Sequence, residues 1–91
     1  MKNQKYKMGN SSNTSQRIYI EDSKKQRFPF DIELTEWIKT MKDIIYKQKG
    51  IPQSRQILYY NGIKMEDFNN LRYYNIKSNS VIQLITSSFD K

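Results

Sequence analysis

The chain has 91 residues, 16 Lys and Arg against 9 Asp and Glu, a formal charge of +7, and neither Cys nor His. That length suits a single domain. The missing cysteines and histidines exclude disulfides, thiolate nucleophiles, zinc ribbons and the commonest metal ligand and general base. No paired carboxylates stand at a recognisable spacing, no glycine-rich phosphate loop is present, and the Ser, Tyr and Lys side chains lack an activating base. The composition therefore points away from an enzyme and from any cofactor. It also offers neither an apolar run of the ~18–20 residues a membrane span needs nor a signal-peptide core, so a soluble, monomeric domain of the cytoplasm or nucleus is the expectation.

In chain order, residues 1–15 carry Lys2, Lys5 and Lys7, no acid, and a polar string from Gly9 to Ser15. Too little apolar surface is present there to offset ordering entropy, and a disordered basic arm is expected. Residues 16–91 form the domain. Ile18 and Ile20 alternate with polar neighbours, a polar turn follows at Lys24-Lys25-Gln26, and Phe28, Phe30 and Ile32 alternate again. This pattern reads as a hairpin, with Pro29 marking an edge strand or a bulge. Thr35 is the candidate cap of a helix whose apolar stripe is Ile38, Met41 and Ile45. Gly50 supplies a left-handed end, and Pro52 prevents continuation. Residues 56–60 read as a third strand, turned by Asn61-Gly62 into a short fourth at Ile63 to Met65. A helical turn is expected within residues 69–75, and a last strand over residues 80–86 with Ile82 and Leu84 inward. One helix on one face of a mixed sheet is an α+β roll.

Lys49-Gly50-Ile51-Pro52, Leu58, Gly62, Glu66-Asp67, Leu71 and Tyr74-Asn75-Ile76 together resemble the ubiquitin family, and residues 16–91 align with ubiquitin without a gap. The resemblance implies a β-grasp roll. Its core positions fall on Ile18, Ile20, Phe28, Phe30, Ile32, Ile38, Met41, Ile45, Leu58, Met65, Leu71, Ile76, Ile82 and Leu84, all apolar. It also implies that Tyr74 bonds through its hydroxyl to backbone near Glu66. Asn75 and Asn79 suit left-handed backbone. Leu71-Arg72-Tyr73-Tyr74-Asn75-Ile76 and Ser80-Val81-Ile82-Gln83-Leu84 are similar, within the family, to the C-terminal ubiquitin-like domain of splicing factor 3A subunit 1.

Conjugable members of the family end in Gly-Gly. Here the matching tail reads Thr86-Ser87-Ser88-Phe89-Asp90-Lys91, and of the seven positions that carry chain-linking lysines only Lys42 is a lysine. A non-catalytic, non-conjugated interaction module is the resulting expectation. The family's recognition patch maps to Ser23, Tyr59, Gln83 and Ile85. With Ile57 beside them and Lys64 at the rim, the expected protein-binding set is Ile57, Tyr59, Lys64, Gln83 and Ile85, facing a partner helix or small domain. A second apolar pair, Tyr19 and Val81, is read as packing across the sheet, and Trp37 as either a staple or an exposed anchor. The alternative is an RNA-contacting module of the splicing-factor type. Its candidate contacts are Lys2, Lys5, Lys7, Lys24, Lys25, Arg27 and Lys42, on the ground of basic charge. The splicing-factor domains are associated with RNA through a basic tail, which the last residues of this chain do not reproduce.

Overall fold

The computed structural model describes residues 15–87. The basic segment holding Lys2, Lys5 and Lys7, and the tail from Ser88 to Lys91, lie outside them. Strand β1 spans Ser15–Glu21 and β2 Arg27–Glu33; helix α1 spans Ile38–Lys49; β3 is Gln56–Tyr60, β4 Ile63–Lys64 and β5 Val81–Thr86. Two 3-10 turns, Gln53–Arg55 and Leu71–Tyr74, complete the order. Ser15 already pairs with Glu33 in β1, so the first strand opens one residue earlier than the arm boundary predicts.

The sheet runs β2-β1-β5-β3-β4, with β1 and β5 parallel and the other neighbours antiparallel. This is the α+β roll that the hydrophobic pattern predicts. Pro29 sits opposite Tyr19 on the edge strand β2, where a missing N–H leaves no gap inside the sheet. Period-two alternation turns Ile18, Ile20, Leu58, Ile82 and Leu84 toward α1, which answers with Ile38, Met41 and Ile45; all eight are 2% exposed or less. Burial of aliphatic side chains at this density supplies the main favourable term in folding. Thirteen of the fourteen expected core residues are buried. Phe28 differs: it is half-buried at the margin of the core, with the Lys49 ammonium 4.1 Å above its ring centroid.

Thr35 does not cap α1. The N-cap is Trp37, with no side-chain bond. The first helical N–H groups donate to carbonyls of the loop after β4 instead, Ile38 to Asn69 at 2.9 Å and Lys39 to Asp67 at 3.0 Å. Those donors need an acceptor but not a local one. At the other end Gly50 is left-handed (φ 75°) and its N–H reaches the Tyr46 carbonyl at 2.8 Å, as expected of that glycine. Asn61 and Gly62 both have positive φ (54° and 77°), the requirement of the two-residue turn between β3 and β4. No helix among the described residues is long and apolar enough to cross a membrane.

Candidate functional site

With one face of the sheet occupied by α1, alternation places Tyr19, Ile57, Tyr59, Val81, Gln83 and Ile85 on the other. The register shows how they meet. Ile57 is opposite Ile85, and Tyr59 opposite Gln83. Tyr59 is also opposite Lys64, and Gln83 opposite Glu21. Glu21, Gln83, Tyr59 and Lys64 thus form a polar row across four strands. To one side of it lie Ile57 and Ile85; to the other lie Tyr19 and Val81, which are partners in the parallel ladder. All five expected protein-binding residues therefore share one face, with Lys64 next to Tyr59 at its rim. Ile85 is 45% exposed, Gln83 and Lys64 are exposed, and Ile57 and Tyr59 are half-buried.

The far end of this face is held by a two-way clamp. Ser87 N–H donates to the Arg55 carbonyl at 2.8 Å, and Arg55 Nε donates back to the Ser87 carbonyl at 2.7 Å. Beneath it, Gln56 is buried and its Nε2 donates to the carbonyls of Lys42 and Ile51, both at 2.9 Å, tying β3 to the helix and to its exit. Across the β1–β2 ladder Arg17 Nε reaches Asp31 Oδ1 at 2.8 Å and a second nitrogen reaches Oδ2 at 3.0 Å, a bidentate cross-strand pair. This hydrogen bonding holds the Asp31 carboxyl below the usual carboxylate range, while the same bond and the opposite charge push the Arg17 guanidinium up.

The basic candidates divide. Lys24 and Lys25 are exposed on the β1–β2 turn, which Asp22 builds by accepting the N–H groups of Lys24 (2.9 Å) and Gln26 (3.0 Å) on its carboxylate. Arg27 lies 3.6 Å from Glu21. Lys42 departs from the expectation of a charge available to phosphate. Its side chain is only 11% exposed, and its ammonium is 2.7 Å from Asp67. Two further lysines of the helix are engaged: Lys47 pairs with Asp43, and Lys49 covers Phe28. The described residues also contain no group of three or more Asp and Glu placed to hold a metal ion.

Sequence reasoning missed a second exposed surface. Trp37, Phe68 and Tyr73, at 50%, 69% and 67% exposure, lie around the start of α1. The Trp37 and Phe68 rings meet edge to face, with centroids 5.9 Å apart and planes at 76°. Trp37, expected as either a staple or an exposed anchor, is left half exposed, with its ring against Phe68. A phenylalanine amid Glu, Asp and Asn in a turn was the available signal.

The family model of the ubiquitin family matches residues 18–88. Splicing factor 3A subunit 1 of Mus musculus is 39% identical over 59 residues, which cover 65% of this chain and 8% of the relative. NEDD8-like protein RUB3 of Arabidopsis thaliana is 29% identical over 68 residues, covering 75% of this chain and 87% of the relative. Ubiquitin-like protein 1 of Schizosaccharomyces pombe is 33% identical over 55 residues, covering 60% of this chain and 70% of the relative. The chain spans less than a tenth of the length of the splicing-factor relatives it matches.

Proposed function

The chain belongs to the ubiquitin family, and from that premise we propose that it is a non-catalytic protein-docking module that works through the outer face of its sheet. The observation carrying this reading is the register that sets Ile57 against Ile85 and Tyr59 against Gln83, with Lys64 next in the row. An aliphatic pair of exposed Ile85 and half-buried Ile57 beside a tyrosine, rimmed by polar groups, has the composition of a small interface. The partner is a helix or a small domain. Buried area below ~1,200 Å² in total makes the contact weak and transient.

Non-conjugation is part of the same proposal. It rests on the residues from Thr86 to Lys91, none of them glycine, and not on where the chain stops. Lys42, the one lysine at a chain-linking position, is nearly buried and ion-paired, which makes it a poor acceptor for a further unit.

Titration of the isotopically labelled chain with a ubiquitin-interacting helical peptide tests the proposal by amide NMR. Shifts are expected at Ile57, Tyr59, Gln83 and Ile85. Tyr59→Ala should weaken binding by about 2 kcal/mol, roughly thirtyfold in Kd, with the core signals unmoved. Unchanged affinity in that variant refutes the site.

A second reading, an RNA-contacting module of the splicing-factor type, is favoured by relatives that are by name splicing factor subunits and by the exposed Lys24 and Lys25 beside Arg27. It places the protein in the nucleus, where the docking reading fits nucleus or cytoplasm alike. A hairpin RNA should then bind with log affinity falling linearly against log salt, and salt-indifferent binding counts against it.

A further inference from the structure

The groove lined by Thr35, Trp37, Phe68, Asn69, Asn70 and Tyr73 is separate from the outer sheet face. Its rings are firmly presented. Asn70 accepts the Tyr73 N–H on its side chain at 2.8 Å, Trp37 bridges to Asn70 through the backbone, and Ile38 N–H holds the Asn69 carbonyl. Three aromatic side chains at half exposure or more, gathered in one place, form the kind of patch that a soluble chain usually covers.

Charge distribution names the occupant. Most carboxylates of the described residues are engaged: Glu21 with Arg27, Asp31 with Arg17, Asp43 with Lys47, Asp67 with Lys42, and Asp22 with turn N–H groups. Those with neither a cation nor a turn N–H on the carboxylate are Glu33, Glu36 and Glu66. Glu36 immediately precedes Trp37. Glu66 begins the turn that carries Phe68, its carbonyl accepting the Asn69 N–H. Glu33 is the register partner of Ser15. Lys39 and Arg72 also border this region, so it is mixed rather than acidic, but it stands out on a chain of charge +7.

Residues 1–14 join the fold at that same place. The residue after Glu33 is Leu34, whose carbonyl accepts the Arg72 N–H at 2.9 Å, one residue from Tyr73. The segment carries Lys2, Lys5, Lys7, Tyr6, Met1 and Met8 and no acid. Fourteen residues reach about 46–50 Å at full extension, and a coiled path of that length still averages about 20 Å. We propose that residues 1–14 are the occupant of the aromatic groove, with a lysine ammonium against the Trp37, Phe68 and Tyr73 rings and the carboxylates of Glu36 and Glu66 answering the remaining charge. Ammonium groups over aromatic faces and thioethers at ring edges both stabilise such a seat. The docking proposal for the outer face neither requires this contact nor is required by it.

The absence of cysteine makes Asn3→Cys a unique attachment point for a nitroxide on the full chain. Paramagnetic attenuation is expected to concentrate on the Trp37 indole and on the amides of Phe68, Asn70 and Tyr73. Each exposed cation–ring contact shifts the seated-to-free ratio about two- to fivefold. Lys5→Glu with Lys7→Glu, which leaves every described residue intact, should therefore cut the attenuation by about that factor or more, as should Phe68→Ser with Tyr73→Ser. Attenuation that is spread evenly, that centres on Ile57 and Ile85, or that ignores both pairs of substitutions overturns the proposal. Attenuation appearing on an unlabelled chain mixed with a nitroxide-bearing one also overturns it, by making the occupant a second copy.

Discussion

Replacing Tyr74 by Phe deletes one oxygen and leaves the ring in place against Tyr73, whose centroid is 5.0 Å away. That oxygen accepts the Glu66 N–H at 2.6 Å and the Asn69 side-chain amide at 3.1 Å. Two donors lose their acceptor at once. Each costs ~1–3 kcal/mol if it stays dry, but Glu66 is exposed and water can serve part of the need, so the sum is about 1–2 kcal/mol. For a domain of this size that is roughly 5–15 °C in Tm. The loss should also be local, because the Glu66–Asn69 turn supplies the Asp67 and Asn69 carbonyls that hold the first N–H groups of α1. Thermal melts give the total. Hydrogen exchange at Glu66, Ile38 and Lys39 shows whether the helix start loosens ahead of the core. An unchanged Tm together with undiminished protection at Glu66 would refute the claim that this hydroxyl anchors the loop.

Thr35→Ala should leave stability within a few tenths of a kcal/mol, whereas Asn70→Ala, which removes the side-chain acceptor of the Tyr73 N–H and leaves the longer bond to the Asn70 carbonyl, should cost about 1 kcal/mol in urea unfolding. Gly62→Ala should cost about 1 kcal/mol by the same measurement, since φ is 77° there although a Cβ would meet no atom within 4 Å. Asp31 is held below its unfolded value by Arg17, so its contribution is present above the unfolded carboxylate pKa and is lost as pH falls through the folded one. Asp31→Asn should therefore lower stability where the carboxylate is charged, flattening the acid limb of the stability curve, and leave the slope between pH 6 and 8 unchanged (roughly, from the ordinary Asp value of about 3.9).

The strands and helix were legible because their signals are local. Ile18 and Ile20, the Ile38–Met41–Ile45 stripe and the Asn61-Gly62 turn each declare themselves within a few residues. The start of α1 was not legible, since its acceptors are Asp67 and Asn69, far along the chain. For the same reason Lys42 looked like a free charge until its partner Asp67 came into place. Lys25 takes a left-handed conformation (φ 68°) that its side chain does not advertise, because the turn is organised by Asp22 instead. The members of the outer face could be listed by parity alone. The aromatic groove could not, because Trp37, Phe68 and Tyr73 come from three separate segments.

On the docking reading, the register constrains the partner further than its residue types do. Ile85 and Val81 lie four residues apart on β5, about 13 Å along the strand. Between them the polar row places Gln83, with Tyr59 and Lys64 beyond it. A helix laid along β5 advances 1.5 Å per residue, so residues about eight to nine apart match that distance. Such a partner would set one apolar side chain against Ile57 and Ile85, a second against Tyr19 and Val81, and a hydrogen-bonding group midway. A helix crossing the strands instead would follow Glu21, Gln83, Tyr59 and Lys64, finding acid at one end, a base at the other and no aliphatic pair beneath it. The two orientations demand opposite patterns of apolar and charged side chains, and the exposed Ile85 favours the lengthwise one.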